Sequence, residues 1–441
     1  MISAFISEKN QKHLYLKVYD FYKNQILNSR IPAGSKMPSL RKCAEELKLS
    51  RTTIESAYLQ LAADGYIISK AQSGYFVTDI ASRQHIHPVS SGPSRPTQYR
   101  YDFASTGVDR SSFRFDLWQR YIKSALRQDE RMLSYGEPQG EYDFRETLAE
   151  YVRVQRNILC SAEDIVIGAG VQNLLQLLCP LLKDRHTVSF PNASFLHGCT
   201  VFQDYGFQTA FRDKNCDIIY VSPAHMTKWG DVMPVSRRME LVRHASDHQK
   251  LILEDDFENE FVYLQKPTPS LFGLSGGENV VYIGSFSRLL LPSIRISFMI
   301  LPPFLLERYR EKASFYNQTA SKAEQIALCQ FIRDGHLAAQ TRKLRRLYSQ
   351  KQKALIRTVK DTFRNMASVK YGESGTSIAV TFSCSCPEEE FTKKMQAQGL
   401  HLKILESAKD QITVLLSCSS MPASDFEPAC RQIREVLERL R

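Results

Sequence analysis

Residues 37–61 read MPSLRKCAEELKLSRTTIESAYLQL, and this stretch has the pattern of two short helices joined by a tight turn. Ser39 and Ser50 each stand directly before a run with helical periodicity, so both are predicted N-caps. Apolar residues recur on one face of each run, as expected for helices that pack on a shared core: Leu40, Ala44 and Leu47, then Ile54, Ala57 and Leu61.

The segments on either side extend this pattern. An aromatic-rich helix precedes it, with a buried stripe of Tyr15, Val18, Tyr19, Tyr22 and Ile26, and ends at the Pro-Ala-Gly break at 32–34. Two β-prone runs follow, at 66–68 and 75–77, around a turn at 71–74 that contains a glycine. The order predicts a winged helix-turn-helix, in which the third helix enters the DNA major groove by its N-terminal end.

The polar residues of this module are candidates for contact with double-stranded DNA. Arg51 can donate two parallel hydrogen bonds to guanine, and hydroxyl groups beside it can reach phosphates or base edges. The predicted DNA-contacting set is Ser39, Arg41, Ser50, Arg51, Thr52, Thr53 and Gly74. A three-helix adaptor with a solvated polar face would have the same spacing, so the periodicity alone leaves both interpretations open.

The charge distribution favours a polyanionic partner for this end of the chain. The protein has 441 residues with 58 Lys and Arg against 47 Asp and Glu, a net charge of +11. Residues 1–80 hold 11 basic and 7 acidic side chains, and residues 81–100 hold three arginines and no acid. Residues 81–100 are rich in Pro, Gly and Ser and are predicted to form a linker, in which His85 and His87 lack a third metal ligand. The expected domains are therefore 1–80, the linker 81–100 and a large domain, 101–441.

Several classes of protein are excluded at this stage. The ten cysteines are scattered without zinc spacing, which predicts a reduced, cytoplasmic protein with no metal site. The N-terminus has no uninterrupted apolar stretch typical of a signal peptide, and no run reaches the roughly 20 apolar residues of a membrane span. We expect no membrane partner.

The large domain alternates helical segments with short apolar strands, which predicts an α/β fold with a mostly parallel sheet. The strands are expected at 164–168, 187–190, 217–222, 250–253, 280–283 and 296–301. No dinucleotide or P-loop motif occurs. The glycine turn before Val171 and Gln172 can hold a phosphate on its N–H groups, although a plain strand–helix turn is the commoner meaning of such a motif.

Two family resemblances complete these predictions. The segments around Met37-Pro38-Ser39 and Leu49-Ser50-Arg51 resemble the GntR-type DNA-binding domain. Across 101–441, segments such as 133–140, 167–172, 221–225, 253–257 and 282–295 resemble the fold-type I aminotransferase domain, which also has a smaller C-terminal α+β subdomain. In this order, the two domains resemble MocR/GabR-like regulators. That resemblance implies a transcriptional regulator that senses pyridoxal phosphate or an amino compound.

At several positions of the aminotransferase motifs, this sequence departs from the family's usual residues. The position of the family's pyridoxal phosphate lysine is Arg288, and a guanidinium cannot form a Schiff base. Phe257 stands where a tyrosine usually contacts the ring oxygen, and Met226-Thr227-Lys228 replaces the usual segment after His225. Residues 414–417 fall where transaminating relatives often have a carboxylate-binding arginine.

Other pocket residues match the family. By resemblance, Asp255 pairs with a pyridine nitrogen, Arg295 and the backbone of Gly170, Val171 and Gln172 bind phosphate, and Tyr135 reaches the phosphate from a partner subunit. Asp255 can equally end a strand and Arg295 can form a structural ion pair. We expect Arg288 to turn toward Asp255 in an empty site, because an unpaired buried charge is costly. The basic run 342–346 is predicted to be a solvated helix face rather than a second DNA contact.

The sequence thus predicts a cytoplasmic, homodimeric DNA-binding regulator whose large domain senses a small anionic effector without covalent cofactor chemistry. Noncovalent binding of pyridoxal phosphate is one alternative. An active aminotransferase with a displaced lysine and a purely structural dimerisation domain are two others.

Overall fold

The computed structural model describes residues 14–79, 99–105, 107–191, 196–263 and 268–440. The chain divides into two compact units, Met1–Thr97 and Gln98–Arg441, each with its own core. Most of the predicted linker, including His85 and His87, lies outside the described residues. No helix in the described ranges is long and apolar enough to cross a membrane.

The first unit has three helices and a hairpin: α1 (Leu14–Leu27), α2 (Leu40–Leu47), α3 (Arg51–Ala63), β1 (Ile67–Lys70) and β2 (Gly74–Val77). The side chain of Ser39 accepts a hydrogen bond from the N–H of Lys42, and that of Ser50 accepts one from the N–H of Thr53. Both predicted N-caps are therefore confirmed. The two strands pair antiparallel, which confirms the winged helix-turn-helix.

Tyrosine rings hold the wing against the helices. Tyr58 of α3 is fully buried, and its ring meets those of Tyr22 and Tyr75 edge-on, with centroids 5.7 and 5.4 Å away. Its hydroxyl donates to the carbonyl of Pro38 at 3.1 Å, so burial leaves no unsatisfied donor. The N–H of Met37 donates to the carbonyl of Tyr75 at 2.8 Å, which fixes the segment before α2 along β2.

The second unit contains twelve α-helices and thirteen strands among its described residues. The helices are α4 (Phe115–Leu126), α5 (Asp129–Met132), α6 (Tyr142–Arg156), α7 (Val171–Leu178), α8 (Leu196–Asp204), α9 (Val235–Asp247), α10 (Leu271–Ser275), α11 (Pro303–Ala313), α12 (Lys322–Arg333), α13 (His336–Phe363), α14 (Glu388–Ala397) and α15 (Phe426–Glu438). The strands are β3 (Tyr101–Asp102), β4 (Ile165–Gly168), β5 (Thr187–Phe190), β6 (Gln208–Phe211), β7 (Ile218–Val221), β8 (Leu251–Asp255), β9 (Val280–Ser285), β10 (Ser297–Ile300), β11 (Ala367–Lys370), β12 (Ser377–Ser383), β13 (Leu400–His401), β14 (Lys403–Ala408) and β15 (Gln411–Ser417).

A seven-stranded sheet in the order β4-β10-β9-β8-β7-β5-β6 forms the centre of this unit. All neighbouring strands run parallel except β10, which is antiparallel to both of its neighbours. Successive residues face opposite layers: Ile252 packs in one core, and Leu251 and Leu253 pack in the other. The mostly parallel α/β fold is confirmed. The edge strand β6 was not predicted, because its exposed residues lack an apolar run.

A second, antiparallel sheet in the order β11-β12-β15-β14 forms the smaller C-terminal subdomain. The 28-residue helix α13 joins the two parts. Its first half packs Leu344 and Tyr348 into the core of the large sheet, whereas Leu355 and Val359 belong to the core of the small one. The predicted solvated run lies on this helix, where Arg342, Lys343, Arg345 and Arg346 are all exposed.

Two loops meet backbone to backbone where the large and small sheets approach each other. The N–H of Ser374 donates to the carbonyl of Gly230 at 3.0 Å, and the N–H of Gly372 donates to that of Trp229 at 2.8 Å. Gly230 has φ +95°, and a Cβ there would lie 1.8 Å from the carbonyl oxygen of Ser374. Only glycine fits this contact.

We therefore predict that Gly230→Ala destabilises the second unit by about 3 kcal/mol or more, because positive-φ strain adds to a backbone clash. Gly206→Ala is the matched control: its φ is also positive, at +83°, but nothing lies within 4 Å of the added Cβ. It should cost only about 1 kcal/mol. Urea unfolding of the full chain measures both, and equal losses for the two variants would contradict the close contact.

Candidate functional site

The N-terminus of α3 presents Arg51 at the surface. Its side chain is exposed and makes no hydrogen bond or ion pair within the described ranges. The neighbouring hydroxyl groups hydrogen-bond one another: Ser50 Oγ lies 2.9 Å from Thr52 Oγ1 and 2.7 Å from Thr53 Oγ1. The helix cap thus accounts for these hydroxyls structurally, and Arg51 is the side chain of this set with its hydrogen-bonding capacity unused.

Ser39 and Arg41 also have structural roles on α2. Ser39 caps the helix, and Arg41 Nε lies 3.1 Å from Glu45 Oε1 one turn further on. Both partners of this pair are largely exposed, so it contributes little to stability and can exchange for a phosphate contact. The structure therefore leaves both proposed backbone contacts available.

The wing adds two cations that the sequence analysis did not single out. Gly74 begins β2 with φ +97°, and the exposed residues Lys36 and Lys70 both approach the Phe76 ring, with their Nζ atoms 5.9 and 4.7 Å from its centroid. Lys70 stands directly before the hairpin turn, which was an available sequence signal, whereas Lys36 lies before α2 and had none. Their position suits contact with the DNA backbone.

A cavity of about 510 Å³ lies at the carboxyl ends of β7, β8 and β9, where open α/β sheets usually bind ligands. Its walls include four of the predicted pocket residues: His225, Asp255, Phe257 and Arg288. The C-terminal subdomain closes the other side with Thr376, Lys403 and Leu415. The cavity therefore lies between the two sheets.

Asp255 ends β8 inside this cavity and is 6% exposed. Its Oδ2 accepts a hydrogen bond from the hydroxyl of Tyr220 at 2.6 Å. The pKa of Asp255 is raised to about 6, chiefly by burial; the Tyr220 hydrogen bond lowers this pKa and the nearby Asp256 raises it. This carboxyl group can accept a hydrogen bond from a ligand N–H and takes up a proton more readily than an exposed aspartate.

The expectation that Arg288 turns toward Asp255 is wrong. Arg288 Nε donates to Glu258 Oε1 at 2.7 Å, and its Nη2 donates to Thr376 Oγ1 at 2.9 Å. Glu258 is buried and has φ +55°, an uncommon conformation for a residue other than glycine. The physical reason for the different pairing is that Asp255 already accepts from Tyr220, whereas the buried carboxylate of Glu258 needs a cation.

His225 and Phe257 form the apolar wall beside this ion pair. Their rings meet edge-on with centroids 5.6 Å apart. His225 Nδ1 is buried without a hydrogen-bond partner among the described residues and lies 3.7 Å from Glu258 Oε2. Burial lowers the pKa of His225 despite the opposing effect of Glu258, so the imidazole is neutral at pH 7.

The predicted phosphate-binding group lies apart from the lining of this cavity. Gly170 has φ +97°, and a Cβ there would lie 2.5 Å from Arg295 Nη2, so the glycine allows the guanidinium to approach the turn. Val171 and Gln172 begin α7, and their N–H groups have no acceptor within the helix. The N–H of Ala169 is already used by Asn173 and Thr319. Arg295 itself is exposed and has no ion-pair partner in the described residues.

Tyr135 lies outside the cavity of its own chain. Its side chain is 99% exposed, in the segment between α5 and α6. The ammonium group of Lys322 donates to the backbone carbonyls of Ser134 and Tyr135 at 2.9 and 3.1 Å, which holds that segment in place. The Tyr135 side chain is therefore accessible to another molecule.

The cavity is also lined by residues that the sequence analysis did not single out as site residues, among them Tyr220, Lys228, Glu258, Thr376 and Lys403. Glu258 follows Phe257 directly, and Lys228 lies in the segment already noted as unusual, so these two had a sequence signal. Thr376 and Lys403 belong to the distant C-terminal subdomain and had none. Within the described ranges, no group of three or more side chains is arranged to hold a metal ion.

Comparisons with known proteins agree with this architecture. Residues 14–77 match the family described as bacterial regulatory proteins, gntR family. The chain is 32% identical over 421 residues to the HTH-type transcriptional regulator YdeL of Bacillus subtilis, a match that covers 91% of each chain. It is 25% identical to the probable rhizopine catabolism regulatory protein MocR of Rhizobium meliloti, over 89% of this chain and 86% of that protein. This chain is a MocR-type transcriptional regulator.

The larger unit of this MocR-type regulator has an aminotransferase-like fold. A crystal structure of an archaeal alanine:glyoxylate aminotransferase superposes with a TM-score of 0.68 at 19% identity, covering 77% of this chain and 91% of that one. At this identity the likeness concerns the fold. Together with the gntR match, it confirms a winged helix-turn-helix joined to an aminotransferase-like domain in one chain.

Pyridoxal phosphate is the cofactor that the aminotransferase fold implies, and the residues of this regulator fit it only in part. Asp255 can accept from a ring N–H, and Gly170 with Arg295 can face a phosphate. The position that the resemblance assigns to the fold's lysine is Arg288, which is paired with Glu258, and Phe257 offers no hydroxyl group to the ring. The residues present therefore do not fit a covalently held cofactor.

For the regulator's DNA interface, we predict that Arg51→Ala weakens binding to a cognate site by about 1–3 kcal/mol and relaxes discrimination at one base pair. Arg30→Ala is the matched control, since it removes the same charge from an exposed site outside α3. Fluorescence anisotropy on cognate and random DNA at fixed salt measures both variants. An equal loss of affinity for the two DNAs would mean that Arg51 contacts only a phosphate and reads no base.

Proposed function

We propose that this MocR-type regulator works in the cytoplasm as a homodimer that binds operator DNA through α3 and the wing. Its aminotransferase-like unit senses a small anionic effector and forms no Schiff base with it. The observation that carries the proposal is the Arg288–Glu258 ion pair in the cavity, at 2.7 Å. By resemblance, Arg288 stands at the position of the fold's Schiff-base lysine, and a guanidinium cannot serve as the amine that this chemistry needs.

The ion pair also suggests how an effector changes the protein. A carboxylate or phosphate can accept two parallel hydrogen bonds from Arg288 and so compete with Glu258. When Arg288 exchanges Glu258 for a ligand, we expect the short segment after Glu258 to shift. This segment is connected to the loop before β12, since the N–H of Tyr263 donates to the carbonyl of Glu373 at 2.8 Å. The Tyr263 hydroxyl donates to the carbonyl of Gly375 at 2.7 Å. Ligand binding is thereby coupled to the segment that leads into β12.

Exposed apolar residues support the homodimer. Leu133, Tyr135 and Phe315 are 89, 99 and 84% exposed. Gln318 Nε2 donates to the carbonyl of Pro138 at 3.1 Å, which brings the two segments that carry them close together. A cluster of this kind favours a partner surface, and a two-fold symmetric contact buries it on both subunits at once.

The alternatives differ in what the cavity holds. Noncovalent pyridoxal phosphate is supported by Asp255 and by the close approach of Arg295 to Gly170. An active aminotransferase would have to use Lys228 or Lys403, the lysines that line the described cavity, and neither occupies the position after Ser287. A purely structural unit would bind no small anion at all.

The proposal predicts that full-length protein mixed with pyridoxal phosphate develops no aldimine absorbance, and that borohydride reduction fixes no cofactor in the cavity. Arg288→Lys should produce at most a slow, weak absorbance change, since Phe257 and Met226 still lack the usual ring contacts. Urea-denatured protein treated in the same way is the control for adduct detection. Peptide mass spectrometry of the folded, unmutated chain identifies any adduct. A phosphopyridoxyl group on Lys228 or Lys403 would contradict the proposal and favour an aminotransferase.

A further inference from the structure

The cavity contains more positive charge than its own acids neutralise. Arg288, Lys228 and Lys403 line it, together with the acids Asp255 and Glu258. Glu258 pairs with Arg288, and Asp255 accepts from Tyr220. Neither lysine makes a hydrogen bond or an ion pair with any residue that the structure describes. Two ammonium groups are therefore left on the cavity wall without counter-charges.

The two lysines come from separate elements and approach the same region. Lys228 lies in the loop after His225, and its backbone position is fixed because the neighbouring Trp229 and Gly230 bond to Gly372 and Ser374. Lys403 begins β14 and is the cross-strand neighbour of Leu415 on β15, which also lines the cavity. Burial lowers the pKa of Lys228, and the charge of Lys403 lowers it further. The two charges are thus close enough to repel each other.

An arrangement of this kind has an electrostatic cost in the empty protein and is stabilised by a bound anion. Two like charges at a partly desolvated wall repel each other, and an anion between them removes that repulsion and raises the pKa of Lys228. Some exposed basic residues of the same unit pair with an acid one turn away, as in Lys394–Glu390 and Arg434–Glu438. Neither Lys228 nor Lys403 has such an acid among the described residues.

We propose that Lys228 and Lys403 form an anion subsite that binds one acidic group of the effector. The ligand class is a small molecule with a carboxylate or phosphate at this end and an apolar or aromatic body against Phe257 and Met226. This inference rests on the proposed function and deepens it, because it assigns the specificity of the same cavity to two residues from the loop and the small sheet. In this arrangement, ligand binding changes the ion pair of Arg288, and the two lysines determine which ligand binds.

Competitive acetylation of the full-length chain tests the subsite. Trace acetic anhydride is added across a pH series with malonate, with inorganic phosphate, or with sodium chloride at the same ionic strength, and labelling of each lysine is read by peptide mass spectrometry. At an anion concentration about four times the dissociation constant, labelling of Lys228 and Lys403 should fall about fivefold. The pH at which Lys228 becomes reactive should also rise. Lys409, exposed at the end of the same hairpin, should keep its rate.

The variants separate the subsite from general charge effects. In Lys403→Met, anions should lose most of their protection of Lys228, and in Lys228→Met they should lose that of Lys403, whereas Lys409→Met should leave both protected. Protection by malonate alone assigns a carboxylate to the subsite, protection by phosphate alone assigns a phosphate, and protection by both assigns either anion. Unchanged labelling with both anions, or equal protection by chloride, would overturn the subsite. That outcome leaves the borohydride result, and with it the proposed function, unaffected.

Discussion

A buried ion pair between Arg288 and Glu258 determines what the cavity of this regulator can do. Both side chains are largely withdrawn from water, so neither charge is stable there without the other, and removal of one partner would leave an uncompensated buried charge. A guanidinium is a planar fork of N–H donors that can bind an anion through two hydrogen bonds, and it does not act as the nucleophilic amine that Schiff-base chemistry needs. Glu258 has a positive φ angle, and Thr376 of the small subdomain accepts a second hydrogen bond from the Arg288 guanidinium.

The position of this pair between the two sheets links binding to the fold. The carboxyl ends of β7, β8 and β9 supply Asp255 and Arg288, while the small subdomain supplies Thr376 and Lys403. The close contact of Gly230 with Ser374 and the single long helix α13 hold these parts together. A ligand that changes the partners of Arg288 therefore acts on both sides of the cavity at once. This geometry supports the proposed sensor role, in which a small change in ion pairing alters the packing of two subdomains.

The fold could be predicted from the sequence because its signals are local. Ser39 and Ser50 precede helical runs, and the buried parallel strands are nearly continuous apolar segments, so both patterns are visible within a few residues. The exposed edge strand β6 had no such run and was missed. Asp255 and Arg288 were recognised through family motifs, but the partner of Arg288 was predicted wrongly. Which carboxylate pairs with it depends on the backbone at Glu258 and on the Tyr220–Asp255 hydrogen bond, and both are products of the tertiary structure. Lys403 reaches the cavity from a distant subdomain, so sequence proximity could not reveal it.

We propose that the regulator is a dimer that holds its ligand through ion pairs and hydrogen bonds alone. Mass spectrometry of the full-length protein, recorded first under native and then under denaturing conditions, tests both parts of this proposal. We expect a native dimer that binds small anions reversibly and, after denaturation, a chain with the mass of its sequence. Arg288→Gln should lower the occupancy of the added anion in the native spectrum. A native monomer, or a denatured chain that is heavier by a covalently attached pyridoxyl group, would contradict the claim.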